Sequence, residues 1–119
     1  MTGPIVEVRD YTIEPEWIEA YKIWADEHAA AWLRTNLNVI DFWLDDGIDA
    51  EVSGSSPQVS GNGQPNVCWI IRWDSKEARD EEFPKIMGSP EWADIWAKHP
   101  NPKAYLQMNV RFMRPARTA

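Results

Sequence analysis

PEWIEAYKIWADEHAAAWLR, residues 15–34, is the stretch from which the rest of the chain is read. At about 100° per residue, Trp17, Tyr21, Trp24, His28 and Trp32 fall on one helical stripe. Ala20, Ala25 and Ala31 flank it, and Glu19, Lys22 and Asp26 lie on the opposite, wet face. Pro15 suits a first helical turn, where no N–H is needed. Glu16 and Glu19 suit the positive N-terminal end of the helix dipole. His28 is the odd member of the stripe, because an imidazole pointing where the indoles point enters the core or a cavity within it. Two readings follow. It is a core histidine with one hydrogen-bond partner, or it is an acid/base group in an aromatic-walled pocket.

The helix lies between two alternating segments. Residues 5–13, IVEVRDYTI, put Val6 and Val8 on one side and Glu7, Arg9 and Tyr11 on the other. Residues 38–45, NVIDFWLD, alternate Ile40, Phe42 and Leu44 against Val39, Asp41 and Trp43. Both read as strands. Between them the helix fades at Thr35 and Asn36, where Asn36 or Asn38 could supply a left-handed cap. Residues 46–65, rich in Gly, Ser and Pro, form a loop well above hairpin length. Such a loop is expected to be mobile or to lie as an arm over a neighbour, because its composition cannot offset the entropy of ordering.

Residues 66–74, NVCWIIRWD, make a third strand. Ser75 caps a helix over residues 76–86, with a kink expected at Pro84 and an end at Gly88. Ser89-Pro90-Glu91-Trp92 restarts a helix that puts Trp92, Ile95, Trp96 and His99 on one face. Pro100 and Pro102 stop it, and at that helix end a charged His99 would be favoured. The last strand, residues 103–113, alternates Leu106, Met108, Val110 and Phe112 against Tyr105, Gln107, Asn109 and Arg111. The order β-α-β-β-α-β, second helix broken, predicts an α+β ferredoxin-like plait: a four-stranded antiparallel sheet with its helices on one face. The other face also carries apolar side chains on every strand, and a second copy of the sheet would cover it, which predicts a homodimer.

Composition narrows the function. The chain of 119 residues is one domain's worth. Twelve Lys and Arg against 19 Asp and Glu give −7, without a basic run, which argues against nucleic acid and anionic membranes as partners. No apolar run reaches membrane-spanning length and residues 1–10 lack a signal-peptide core, so a cytoplasmic protein is expected. Cys68 is the single cysteine, which rules out a disulfide within the chain. The acidic residues Asp45, Asp46, Asp49 and Glu51 do not have calcium-loop spacing and read as a solvated turn.

The chain resembles the NIPSNAP-like proteins of the dimeric α+β barrel superfamily. The likeness is carried by Glu7-x-Arg9-x-Tyr11, His28, Phe42-Trp43, Arg72-Trp73-Asp74-Ser75 with Glu77 and Arg79, and Ser89-Pro90-Glu91-Trp92. It runs from about residue 4 to 113, so that residues 1–119 read as a single such domain. The long loop and the eight tryptophans depart from the family pattern. The resemblance implies a barrel made by two sheets at a dimer interface, and a pocket between helices and sheet in each subunit. The superfamily includes cofactor-independent monooxygenases, polyketide cyclases, lyases and haem-degrading proteins.

No nucleophile triad, phosphate loop, zinc cluster or dinucleotide fingerprint is present. What remains is acid/base chemistry with no cofactor and no metal. His28 is the first candidate proton carrier, with a strand partner among Glu7, Asp41, Tyr11 and Tyr105. Glu7 and Arg9 either pair with each other or line the pocket, Arg9 as an anion anchor and Glu7 as a base or orienter of His28. Tyr21, Trp24, Trp43, Trp69, Trp73 and Trp96, with Tyr105, could wall a site for a flat aromatic molecule, or serve as core and interface filler. Three functions fit: a small enzyme of lyase, isomerase, cyclase or oxygenase type on an aromatic or polyketide-like substrate; a non-catalytic binding or structural dimer; and a haem-binding or haem-degrading protein.

Overall fold

The computed structural model describes residues 3–117. Strand β1 (Ile5–Ile13) is followed by helix α1 (Ile18–Trp24), a π-helical segment (Ala25–Ala29) and helix α2 (Ala30–Asn36). Then come β2 (Val39–Leu44), β3 (Val67–Trp73), α3 (Lys76–Met87), α4 (Pro90–Trp96) and β4 (Tyr105–Met113). The sheet is antiparallel in the order β2-β3-β1-β4, the expected ferredoxin-like α+β arrangement. Among the described residues, no helix is long and apolar enough to cross a membrane.

The caps follow the sequence. Ser75 Oγ accepts from Ala78 N at 3.0 Å and Ser89 Oγ from Trp92 N at 3.2 Å, each satisfying a free N–H of a first turn. Helix α3 runs on through Pro84 to Met87. No left-handed cap follows α2, because no residue other than glycine has a positive φ among those described; Leu37 leaves the helix in an extended conformation instead.

The first helix differs from its expected form in two ways. Residues 15–17 form a turn, with Trp17 N donating to Glu14 O at 2.9 Å, so the helix begins at Ile18. More consequential is the π-helical segment, whose wider turn takes up one extra residue. An unbroken α-helix would continue the inner face from Tyr21 and Trp24 to His28 and Trp32. Here it continues to Ala29 and Leu33, both buried. His28 is thereby turned outward, its side chain 34% exposed.

Two irregularities in the sheet also set which side chains face the helices. Facing residues in a ladder share a side, so Glu7, Arg9 and Tyr11 lie with Trp69, Ile71, Met108, Val110 and Phe112. A shift between Thr12 and Ile13 brings Tyr105 opposite Ile13, reversing the alternation at the start of β4. Tyr105 therefore faces the helices, not the side of Gln107, Asn109 and Arg111 as simple alternation predicts. On β2, a shift between Val39 and Asp41 leaves Ile40 half exposed.

The other face of the sheet carries Val6 and Val8, Ile70, and Trp43, which is 45% exposed. It also carries the Asp10–Arg111 ion pair at 3.0 Å. The long loop ends at Asn66, whose side chain bonds both backbone groups of Ile13, at 2.8 and 2.9 Å. Farther back, Ser60 Oγ donates to Gln107 Oε1 at 3.0 Å, and Ile48, Val52 and Val59 are exposed.

Candidate functional site

A cavity of about 600 Å³ opens between the helices and the sheet. Its floor is Arg9, Tyr11, Phe42, Trp69 and Met108; Tyr21, Trp24, Ala29 and Leu33 form one wall; Phe83, Trp92 and Trp96 close the far side. Ala29 reaches this wall because of the π-helical segment. The walls are mostly hydrocarbon, and the polar groups gather in one corner at Arg9, Tyr11, Tyr21 and Tyr105.

The corner is built outward from Glu7, which is fully buried. Arg79 on α3 donates through Nε to Glu7 Oε1 at 3.0 Å and through Nη2 to Oε2 at 2.9 Å. Arg9 Nη1 reaches Oε2 at 2.6 Å and Trp73 Nε1 reaches Oε1 at 3.0 Å. Burial alone would raise the Glu7 pKa, but the hydrogen bonds and charges of Arg79 and Arg9 outweigh it and hold the carboxyl below its ordinary value. With four donors on two oxygens this carboxylate is a structural anion, and it fixes Arg9. Pairing with Arg9 is thus the role the geometry gives Glu7; it lies behind the cavity and does not line it.

Arg9 then faces the cavity beneath the Phe83 and Trp69 rings, its guanidinium carbon 5.3 and 5.6 Å from their centres. Its Nε donates to the Tyr11 hydroxyl at 2.6 Å, and Trp69 Nε1 donates to the same oxygen at 3.0 Å.

On the other side of the corner stands His99, 8% exposed. Asn101 N donates to its Nδ1 at 3.0 Å, so the proton of the neutral ring is on Nε2, which lies 2.8 Å from the Tyr105 hydroxyl. Burial pushes the imidazole pKa down to about 4, so His99 is neutral at pH 7 and not the helix-end cation that its position in sequence suggests. Tyr21 meets Tyr105 edge-on in turn, their ring centres 6.1 Å apart. Burial is the main cause that raises the pKa of both phenols, Tyr21 well above its ordinary value.

The indoles interlock around this corner. Trp24 Nε1 donates to Ile95 O at 2.9 Å, tying α1 to α4. Its ring lies 4.4 Å from His99 and 5.8 Å from Trp96, and Trp32 meets Trp92 at 5.4 Å.

Of the residues singled out from the sequence, Arg9, Tyr11, Tyr21, Trp24, Trp69, Trp96 and Tyr105 line the cavity. His28, Glu7, Asp41, Trp43 and Trp73 do not. His28 Nε2 is 3.9 Å from Glu27 Oε2, beyond hydrogen-bond length, and none of the four expected strand partners bonds to it. Asp41 is half exposed and accepts from Arg34 Nη2 at 2.6 Å. Trp43 faces the far side of the sheet, and Trp73 serves Glu7. Arg79 and His99 are the functional side chains that sequence reasoning left unassigned or ranked low. For His99 the signal was there, since it continues the face of Trp92 and Trp96. For Arg79 nothing local points to a partner 72 residues away.

No family model matches the chain, and no curated protein matches it. Solved structures do. A NIPSNAP-like domain protein from Burkholderia xenovorans superposes with a TM-score of 0.72 at 17% identity, over 100% of this chain and 90% of the other. The fold is that of the NIPSNAP proteins. A NIPSNAP family protein from Agrobacterium tumefaciens gives 0.71 at 18% identity, over 100% and 91%. A heme-degrading protein from Mycobacterium tuberculosis, with two hemes in its active site, gives 0.51 at 15% identity, over 97% and 98%. The NIPSNAP fold thus spans the whole described chain, in agreement with the resemblance read from its motifs, and enzymes occur among proteins that share it.

Proposed function

We propose that the chain is a small cofactor-independent enzyme whose cavity takes a flat aromatic or polyketide-like molecule. The reaction would be of lyase, isomerase, cyclase or oxygenase type, with the substrate's polar end in the Arg9–Tyr11–Tyr105 corner. One observation carries this: a cavity of about 600 Å³ with aromatic walls and with its arginine and its three tyrosines gathered in a single corner. Such a layout fixes the orientation of a ligand, which is what proton transfer at a chosen carbon or oxygen requires.

The same reading makes the chain one half of a homodimer. Val6, Ile70 and Trp43 leave apolar surface on the face away from the helices, and a second copy of that face would cover it.

A second reading, a binding protein without catalysis, is favoured by one feature. Among the described residues no carboxylate lines the cavity, and both nitrogens of His99 are engaged. The haem reading has no open imidazole at the cavity to draw on, so added haem is expected to give no protein-bound Soret band.

The test has two stages. Aromatic ketones and phenols are titrated against tryptophan fluorescence, where quenching at micromolar concentration is expected. Compounds that bind are then followed for deuterium exchange beside the carbonyl and for oxygen uptake. Exchange or uptake well above the buffer rate supports the enzyme. Tight binding with neither supports the second reading.

A further inference from the structure

The polar corner has a hydrogen-bond balance that can be counted. A phenol has one proton and two acceptor sites. Arg9 Nε–H and Trp69 Nε1–H can only donate, so together they fill both acceptor sites of Tyr11. What remains on that oxygen is its proton, and no protein acceptor takes it among the described residues. His99 Nε2–H donates to Tyr105. Tyr105 keeps its own proton and one acceptor site beside that bond. Arg9 has a further donor, since Nη1 serves Glu7 and Nε serves Tyr11 while Nη2 has no partner among the described residues. The indole N–H groups of Trp24 and Trp69 are already engaged. At Tyr11 and Arg9 the corner therefore offers donors and no free acceptor, and Arg9 is its charged member.

We infer that Tyr11 and Arg9, with Tyr105 beside Tyr11 at a ring distance of 5.4 Å, form a cradle for a single anionic oxygen on a flat ring, a phenolate or an enolate. This rests on the cavity being the ligand site proposed above and names the chemical class it takes. Hydrogen bonds to an ionised acceptor are about twice as strong as neutral ones, and donors fixed in advance in a water-poor corner favour the anion over its conjugate acid. The aromatic walls stack the ring, while a carbonyl or ether oxygen would use the same donors at lower strength. His99 and Trp69 are positioning residues here. Each occupies a phenol's acceptor site and so leaves that phenol's proton free for the ligand.

The full-length chain is titrated with para-nitrophenol and para-nitroanisole, which share ring and nitro group but differ in the acidic proton. Fluorescence quenching reads binding of both. The absorbance of the yellow phenolate, at a pH where the free phenol is half ionised, reads the protonation state of what is bound. The phenolate-to-phenol ratio is expected to rise about tenfold on binding, and the anisole to bind about tenfold more weakly than the phenolate. Tyr11→Phe and Tyr105→Phe should each remove most of the rise, and should weaken phenolate binding by more than they weaken anisole binding. The comparison of the two compounds needs no variant, so it stands even if one substitution fails to fold. Equal binding of both with no change in ionisation overturns the cradle and leaves the cavity as a ligand site. Binding of neither overturns both.

Discussion

The Glu7 carboxylate, fully buried in the central strand, is clamped by two donors of Arg79 from α3, Nε and Nη2, at 3.0 and 2.9 Å. This pair joins the sheet to a helix whose own side chains include none that is fully buried. Breaking it leaves a charge in the core with two of its four donors gone. Arg79→Met is expected to cost on the order of 3 kcal/mol, read as a lower urea midpoint with an unchanged slope. Glu7→Gln should cost a comparable amount by leaving Arg9 and Arg79 without their anion. Because the Glu7 pKa is lowered in the fold, its contribution is present above the ordinary carboxylate range and lost as pH falls through the folded value. The Gln variant should show a flatter acid limb.

His99 gives a second acid-sensitive element. Burial moves its pKa from 6.5 down to about 4, so the folded chain holds the neutral ring while the unfolded chain takes up a proton below pH 6.5. Stability should therefore be full above about pH 6.5 and fall on acidification towards pH 4, by up to about 3 kcal/mol. Protonation would also displace the Asn101 N–H from Nδ1. Melting temperatures of the native chain and of His99→Gln, measured from pH 7 to pH 4.5, should converge as the pH falls.

His28→Ala tests the opposite case. The ring is one-third exposed, lies outside the cavity and has Glu27 at 3.9 Å as its nearest charged partner. The substitution should change stability by no more than about 0.5 kcal/mol and leave ligand quenching unchanged. A loss of binding or turnover in a folded variant would return this residue to the site.

Trp43 is expected to lie in the subunit interface. On the proposed dimer, Trp43→Glu puts a charge into the apolar face shared with Val6, Val8 and Ile70. The native chain should sediment as a dimer at micromolar concentration, and the variant should shift towards monomer by tenfold or more in dissociation constant. A native chain that stays monomeric would refute the dimer.

The sequence by itself determined the element order, both serine caps, the helix break near Gly88 and the grouping of Glu7, Arg9 and Tyr11 on one side of β1, opposite Val6 and Val8. These are local properties. Alternation, capping and proline placement act within one turn or one strand, and nothing distant overrules them here. Tertiary structure decided three other things. The π-helical segment moved the inner face by one residue and so replaced His28 with Ala29 at the cavity wall. The shift between Thr12 and Ile13 turned Tyr105 towards the helices. Arg79 found Glu7 across 72 residues. In each case the outcome depends on which register or partner lets helix and sheet close together around the aromatic side chains. A periodic pattern has no means of showing where one residue is added or slipped, because the pattern on either side of it stays intact.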